Sequence, residues 1–364
     1  MHHVVVSCLI AIALTGCAAS EGPANGAGAG GGKTNPGNDA AANTTDGEDA
    51  GTVGNPSGNG DDAGSSVGED AGYVTPSGGD GSTLGDGPYG NPGPNTVTTT
   101  SFSITSPNAT YTTTAYIPSS AGPNPVVILS SGFFQDGVAY AAYANRLASW
   151  GVVTFLRDDP SLGESTANIV SDVSYEVNTW LPSQNTGSSG ALVGKLDLTR
   201  VGLAGHSRGG QIALLSGEAL TGKVKGVFGL DPVDTTTAPE AATTIATIGV
   251  PLAFIGETTD NASSGCAPAD VDFLTLYEGA VTPAVAITVA NADHTMFEDP
   301  ASCSFCTLCT AGTANQSQVE STAVRYLTAF FARELLGDTS VGAAFAGAGA
   351  GLDVAAGSIT IASK

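Results

Sequence analysis

The chain has 364 residues and a formal net charge of −23 at pH 7, from 34 acidic and 11 basic side chains. No Lys/Arg cluster is present, which argues against a nucleic-acid partner, and a charge this negative speaks to solubility rather than to fold. The 50 glycines are unevenly spread, so the full length overstates the part that can build a core.

Residues 1–16 run Met1-His2-His3, an apolar stretch Val4 to Leu14, then Thr15-Gly16, the layout of a secretory signal and too short for a permanent transmembrane helix. Leu14-Thr15-Gly16-Cys17 resembles the lipobox of bacterial lipoproteins. That resemblance implies an exported protein held to the outer membrane or cell surface by a lipid on Cys17. Residues 18–95 are dominated by Gly, Asn, Ser, Thr and Asp, with a recurring pentapeptide at Gly47-Glu48-Asp49-Ala50-Gly51, Gly60-Asp61-Asp62-Ala63-Gly64 and Gly68-Glu69-Asp70-Ala71-Gly72. With so few large apolar side chains the segment cannot offset its ordering entropy, and it reads as a flexible acidic tether. Its acidic spacing matches no EF-hand loop.

From residue 96 the texture changes to short β-rich runs alternating with amphipathic stretches, the pattern of an α/β domain with a mostly parallel central sheet flanked by helices. Thr98 to Thr105 and Thr110 to Ile117 suggest an opening antiparallel pair. Strands are then expected at Pro125 to Ser130, Val152 to Leu156, Arg200 to Ala204, Val224 to Leu230, Pro251 to Ile255 and Val285 to Ala290. Helices are expected at Val138 to Trp150, Ile169 to Leu181, Gly209 to Leu220 and Val319 to Leu336, the last with an apolar stripe of Val324, Leu327, Phe330, Phe331 and Leu335. The catalytic domain is placed at 96–337, and the role of 338–364 is not legible.

Gly205-His206-Ser207-Arg208-Gly209 lies between an apolar strand and a helix, the context of a nucleophile elbow. A serine hydroxyl is a weak nucleophile and needs a base. Of the four His, His2 and His3 lie in the signal and His206 precedes the nucleophile, where its side chain should diverge from that of Ser207, so His294 remains. The carboxylate that orients it is Asp231 or Asp260, each after a strand on the edge that carries the elbow, with the loser expected to be a surface turn residue. The oxyanion hole is expected from the backbone amides of Arg208 and Phe133.

Taken together, these features resemble the α/β-hydrolase superfamily and within it the chlorophyllase group. The residues that carry this are Gly205-His206-Ser207-Arg208-Gly209-Gly210, Gly229-Leu230-Asp231-Pro232-Val233, Cys266-Ala267-Pro268 and Asp293-His294-Thr295-Met296 with a following Cys cluster, in family order. A looser likeness is to bacterial cutinases and polyester hydrolases. The chlorophyllase likeness implies Asp231 as the acid; the cutinase likeness would imply Asp260. Ser131-Gly132-Phe133 replaces the His-Gly-Phe of chlorophyllases, so ester hydrolysis carries over and the chlorophyll substrate does not.

Setting aside Cys8 in the signal and Cys17, the chain keeps Cys266, Cys303, Cys306 and Cys309, an even number in an exported protein, which points to disulfides. Three pairings are possible. Linking Cys266 to the loop of Cys303 to Cys309 would brace the segment after His294. A metal or iron–sulfur site is disfavoured, since no His lies near these Cys. The expectation is a cofactor- and metal-independent serine hydrolase acting on a small-molecule or lipid-like carboxylic ester. Its rivals are a lipase, polyester hydrolase or amidase of the same fold, and a non-catalytic surface-binding lipoprotein on this scaffold.

Overall fold

The computed structural model describes residues 87–158, 164–281, 283–299, 309–345 and 350–364. The expected signal, Cys17, the tether up to residue 86, Cys303 and Cys306 lie outside the described residues. Among the described residues nine strands form one sheet: β1 (Val97–Thr105), β2 (Thr110–Pro118), β3 (Asn124–Ser130), β4 (Val153–Arg157), β5 (Leu196–His206), β6 (Val224–Leu230), β7 (Leu252–Gly256), β8 (Ala284–Val289) and β9 (Ile359–Ser363). Their spatial order is β1-β2-β4-β3-β5-β6-β7-β8-β9. The hairpin β1–β2 and the pairs β2–β4 and β8–β9 are antiparallel. Every pair from β4 through β3, β5, β6 and β7 to β8 is parallel.

The central strands are apolar on both faces because helices cover both, as parallel crossovers require. Alternation along β3 divides its side chains between two cores: Val127 and Leu129 join one, Val126 and Ile128 the other. The first core is closed by α1 (Ala141–Ser149) and the long helix Gln316–Phe331; its Val319, Val324, Leu327, Phe330 and Phe331 are all buried there. The second is closed by α2 (Thr166–Tyr175) and α3 (Arg208–Ala219), which contribute Ile169, Val173, Ile212, Ala213 and Leu214. Asn315 accepts the Gln318 N–H and so fixes where the long helix begins, a cap of about 1 kcal/mol.

Two departures from the sequence reading extend the domain. The segment 87–95, expected as tether, packs against α1: Tyr89 is buried beside Trp150, with ring centroids 4.7 Å apart, and Arg146 Nη1 donates to the Tyr89 carbonyl at 3.0 Å. At the other end, the chain forms a short helix at Gly351–Ala355 and then β9, whose register against β8 runs from Val285↔Ser363 to Val289↔Ile359. The tail therefore covers the sheet edge that β8 would otherwise expose.

Candidate active site

The C-terminal ends of β3, β5, β6, β7 and β8 lie side by side, so five loops converge at one edge of the sheet. Among the described residues, four non-glycine residues have positive φ, and each sits at or just past one of these ends: Phe134 after β3, Ser207 after β5, Asp231 after β6 and Asn291 after β8. Backbone of this kind costs of order 1–3 kcal/mol per residue and persists only where surroundings enforce it, as at functional sites.

Ser207 turns the chain from β5 into α3 with φ 54° and ψ −124°. The flanking glycines make this turn possible: a Cβ on Gly205 would overlap the Gly209 carbonyl, and one on Gly209 would overlap the carbonyls of Ser130 and Ser131. The elbow is tied to the next loop, since Ser207 N–H donates to the Leu230 carbonyl at 3.1 Å and Val233 N–H to the Ser207 carbonyl at 3.2 Å.

His294 opens a single 3₁₀ turn, His294–Phe297, whose cap Asp293 accepts the Thr295 and Gly312 amides. Its ring nitrogen Nδ1 lies 2.7 Å from Asp231 Oδ2, both side chains being buried. The other carboxylate oxygen accepts the Glu257 amide at 3.2 Å. Gly256 makes room for that oxygen, because a Cβ there would collide with Asp231 Oδ1 and the Phe273 ring. Burial pulls the His294 imidazolium down, but the Asp231 hydrogen bond and charge, with Glu298 and Glu257, outweigh it and hold the ring above its usual value. Glu257, pushed up to about 8 mainly by burial and then by the Asp231 charge, stands with Glu298 as a buried carboxyl group that sequence reasoning missed.

Asp260 is placed differently from Asp231. Its Oδ1 accepts the Thr310 amide at 2.7 Å, and Oδ2 lies 3.5 Å from the His294 backbone N. No hydrogen bond joins its side chain to the imidazole. Asp260 is not the surface turn residue that one of the two aspartates was expected to be: it is fully buried, and it braces the backbone at His294 and after Cys309.

Phe133 and Arg208 follow the adjacent ends of β3 and β5, in the loops where the oxyanion donors were expected. Phe133 is half-buried, with the Arg208 guanidinium 5.6 Å from its ring centre, and Arg208 Nη2 donates to the Glu164 carbonyl at 2.6 Å. Phe134 is 43% exposed, so neither ring is a core residue.

Cys266 pairs with Cys309, Cα atoms 5.5 Å apart and 43 residues apart in sequence. Closing a loop of that length removes unfolded-chain entropy worth about 4 kcal/mol on the chain-entropy account, and the loop contains His294. Both sulfurs lie within 4.8 Å of an Asp260 oxygen, yet a disulfide has no thiolate to offer a metal.

His206, which precedes Ser207 on the elbow, is buried with its ring against that of His294, the centroids 4.6 Å apart.

The chlorophyllase family model matches residues 90–345, spanning the whole of this constellation. The chain belongs to the chlorophyllase family. A curated relative, chlorophyllase type 0 of Chenopodium album, is 27% identical over 187 residues, covering 44% of this chain and 52% of the relative. The match thus spans about half the length of that relative. Family membership agrees with the sheet order and flanking helices in giving the chain the α/β-hydrolase fold, one used by ester hydrolases.

Proposed function

We propose that this chlorophyllase-family protein is a serine hydrolase that cleaves a carboxylic ester through an acyl-enzyme. The observation that carries the reading is the buried 2.7 Å contact between His294 Nδ1 and Asp231, in loops that flank the strained Ser207 elbow. In this scheme Ser207 Oγ attacks the ester carbonyl while His294 Nε2 takes its proton. Asp231 holds Nδ1–H, fixing the tautomer and stabilising the imidazolium, and the Phe133 and Arg208 amides receive the developing oxyanion. The tetrahedral intermediate collapses as His294 returns the proton to the leaving alcohol. Water then repeats the sequence on the acyl-serine.

The base must be neutral to act, so kcat/KM should rise with pH through the His294 pKa of the free enzyme. Because the carboxylates raise that pKa, the acidic limb is expected above the ordinary imidazole value of 6.5. In the Asp231→Asn variant the limb should move down. Hydrolysis of a short p-nitrophenyl ester by purified protein between pH 5 and 9 checks both; a limb below pH 6 in the parent protein, unmoved by the substitution, would remove His294 from the role of base.

We further propose that the protein is exported and held at a membrane by a lipid on Cys17, which would present the esterase to small-molecule or lipid-like esters outside the cell. The support is the signal-like run and the lipobox at residues 14–17. Cys17→Ala should shift the protein from the membrane to the soluble fraction after cell lysis. Unchanged membrane association would contradict the anchor.

A further inference from the structure

The elbow histidine, His206, joins two loops that the reaction needs in register. Its Nε2 lies 3.0 Å from the backbone carbonyl of His294, and a carbonyl can only accept, so Nε2 carries the proton. Its Nδ1 lies 2.9 Å from the Tyr140 hydroxyl. Burial, with the neighbouring His294 second, holds His206 well below the ordinary imidazole value, so the ring is neutral and Nδ1 is an acceptor. The Tyr140 hydroxyl therefore donates to Nδ1, and its oxygen in turn accepts the Gly132 amide at 3.0 Å. The result is one directed chain of hydrogen bonds: Gly132 N–H to Tyr140 O–H to His206, and His206 N–H to the His294 carbonyl. It begins on the residue before Phe133, passes through the residue before Ser207 and ends on the His294 backbone. A side chain at position 132 would crowd its start, since a Cβ there would stand 3.1 Å from both His206 Nδ1 and the Tyr140 oxygen.

Tyr140 and His206 are both buried, and neither reacts in the scheme above. Glu298 Oε1 lies 3.4 Å from His206 Nδ1, but with His206 neutral this is no ion pair, and burial pushes the Glu298 carboxyl up to about 7. Hydrogen bonds in series polarise one another and fix each member's orientation. Displacing any one of them moves the oxyanion loop and the base loop relative to Ser207.

We propose that Tyr140 and His206 are positioning residues that set the oxyanion loop and the His294 loop against the nucleophile elbow through this hydrogen-bond chain, an inference that rests on the Ser207–His294–Asp231 reading.

The test uses the full-length protein and the variants Tyr140→Phe, His206→Gln and the double variant. Tyr140→Phe keeps the ring and loses only the hydroxyl, while Gln can still donate to the His294 carbonyl but has no ring. Each single variant should lower kcat on a p-nitrophenyl ester by about 10- to 100-fold, the scale of a small misplacement of reacting groups, with KM within about twofold. The double variant should be no slower than about the worse single, because the two residues act as one unit. All three should still unfold cooperatively above the assay temperature and still be modified at Ser207 by a fluorophosphonate, only more slowly.

Single variants with parental kcat, or losses that multiply in the double variant, would overturn the proposal while leaving the triad intact. If His206→Gln fails to fold, Tyr140→Phe alone decides through its kcat against its KM. Failure of the triad reading is a different result: fluorophosphonate modification that survives Ser207→Ala.

Discussion

Replacing Ser207 with Ala is expected to abolish turnover of short p-nitrophenyl esters, by about 10⁴-fold or more, as for removal of a triad nucleophile. The loss should fall on kcat with the fold untouched. Ser207 makes its inter-loop contacts through its backbone, donating to Leu230 and accepting from Val233, so removing Oγ breaks neither. Alanine, like serine, is an L residue at φ 54°, so the substitution changes the strain of the elbow little. A purified variant with the parent's circular dichroism and no hydrolysis is the expected outcome. Activity within about a hundredfold of the parent would mean that the ester bond is broken elsewhere in the molecule.

The second large effect separates the two aspartates. Asp231→Asn should lose activity by about 10⁴-fold, because an amide can donate to His294 Nδ1 and so hold the imidazole in the tautomer that leaves no lone pair facing the serine. The buried carboxamide also removes the charge that raises His294. Asp260→Asn should cost turnover no more than about tenfold, since its oxygens hold backbone amides and not the ring. Its price should appear in stability: turning one buried acceptor into an NH₂ against Thr310 N–H or His294 N–H leaves an unsatisfied donor worth about 1–3 kcal/mol. Turnover and thermal unfolding measured on both variants should therefore rank them in opposite orders. An Asp260→Asn enzyme as slow as Asp231→Asn would contradict the assignment.

The elements that local pattern determines were legible in the sequence. Val224–Leu230 coincides with its expected span, and β3, β7 and β8 differ by one residue at one end or both, because continuous apolar runs bounded by turn residues have few alternatives. The helix expected at Ile169 to Leu181 begins three residues earlier and passes through a π turn at Glu176–Trp180, which directs Glu176 inward toward the Tyr111 hydroxyl. Such a turn depends on a tertiary partner and leaves no mark on periodicity.

The same division holds in the site. Ser207 and His294 followed from a motif and from elimination among four histidines, but two strand ends offered an acid. The sequence does not advertise the space that Gly256, one strand over, leaves for the Asp231 carboxylate beside His294. The contacts of His206 and Tyr140 were not legible for a related reason: only the folded chain brings their polar atoms to Gly132 and His294.

The central claim is that Ser207 is an activated nucleophile. The most direct measurement is reaction of the purified full-length protein with a fluorophosphonate, followed by mass spectrometry of its peptides. The account predicts one adduct, on the peptide that contains Ser207, formed faster as pH rises through the His294 pKa and absent after Ser207→Ala. No adduct, or an adduct on another residue, would contradict it.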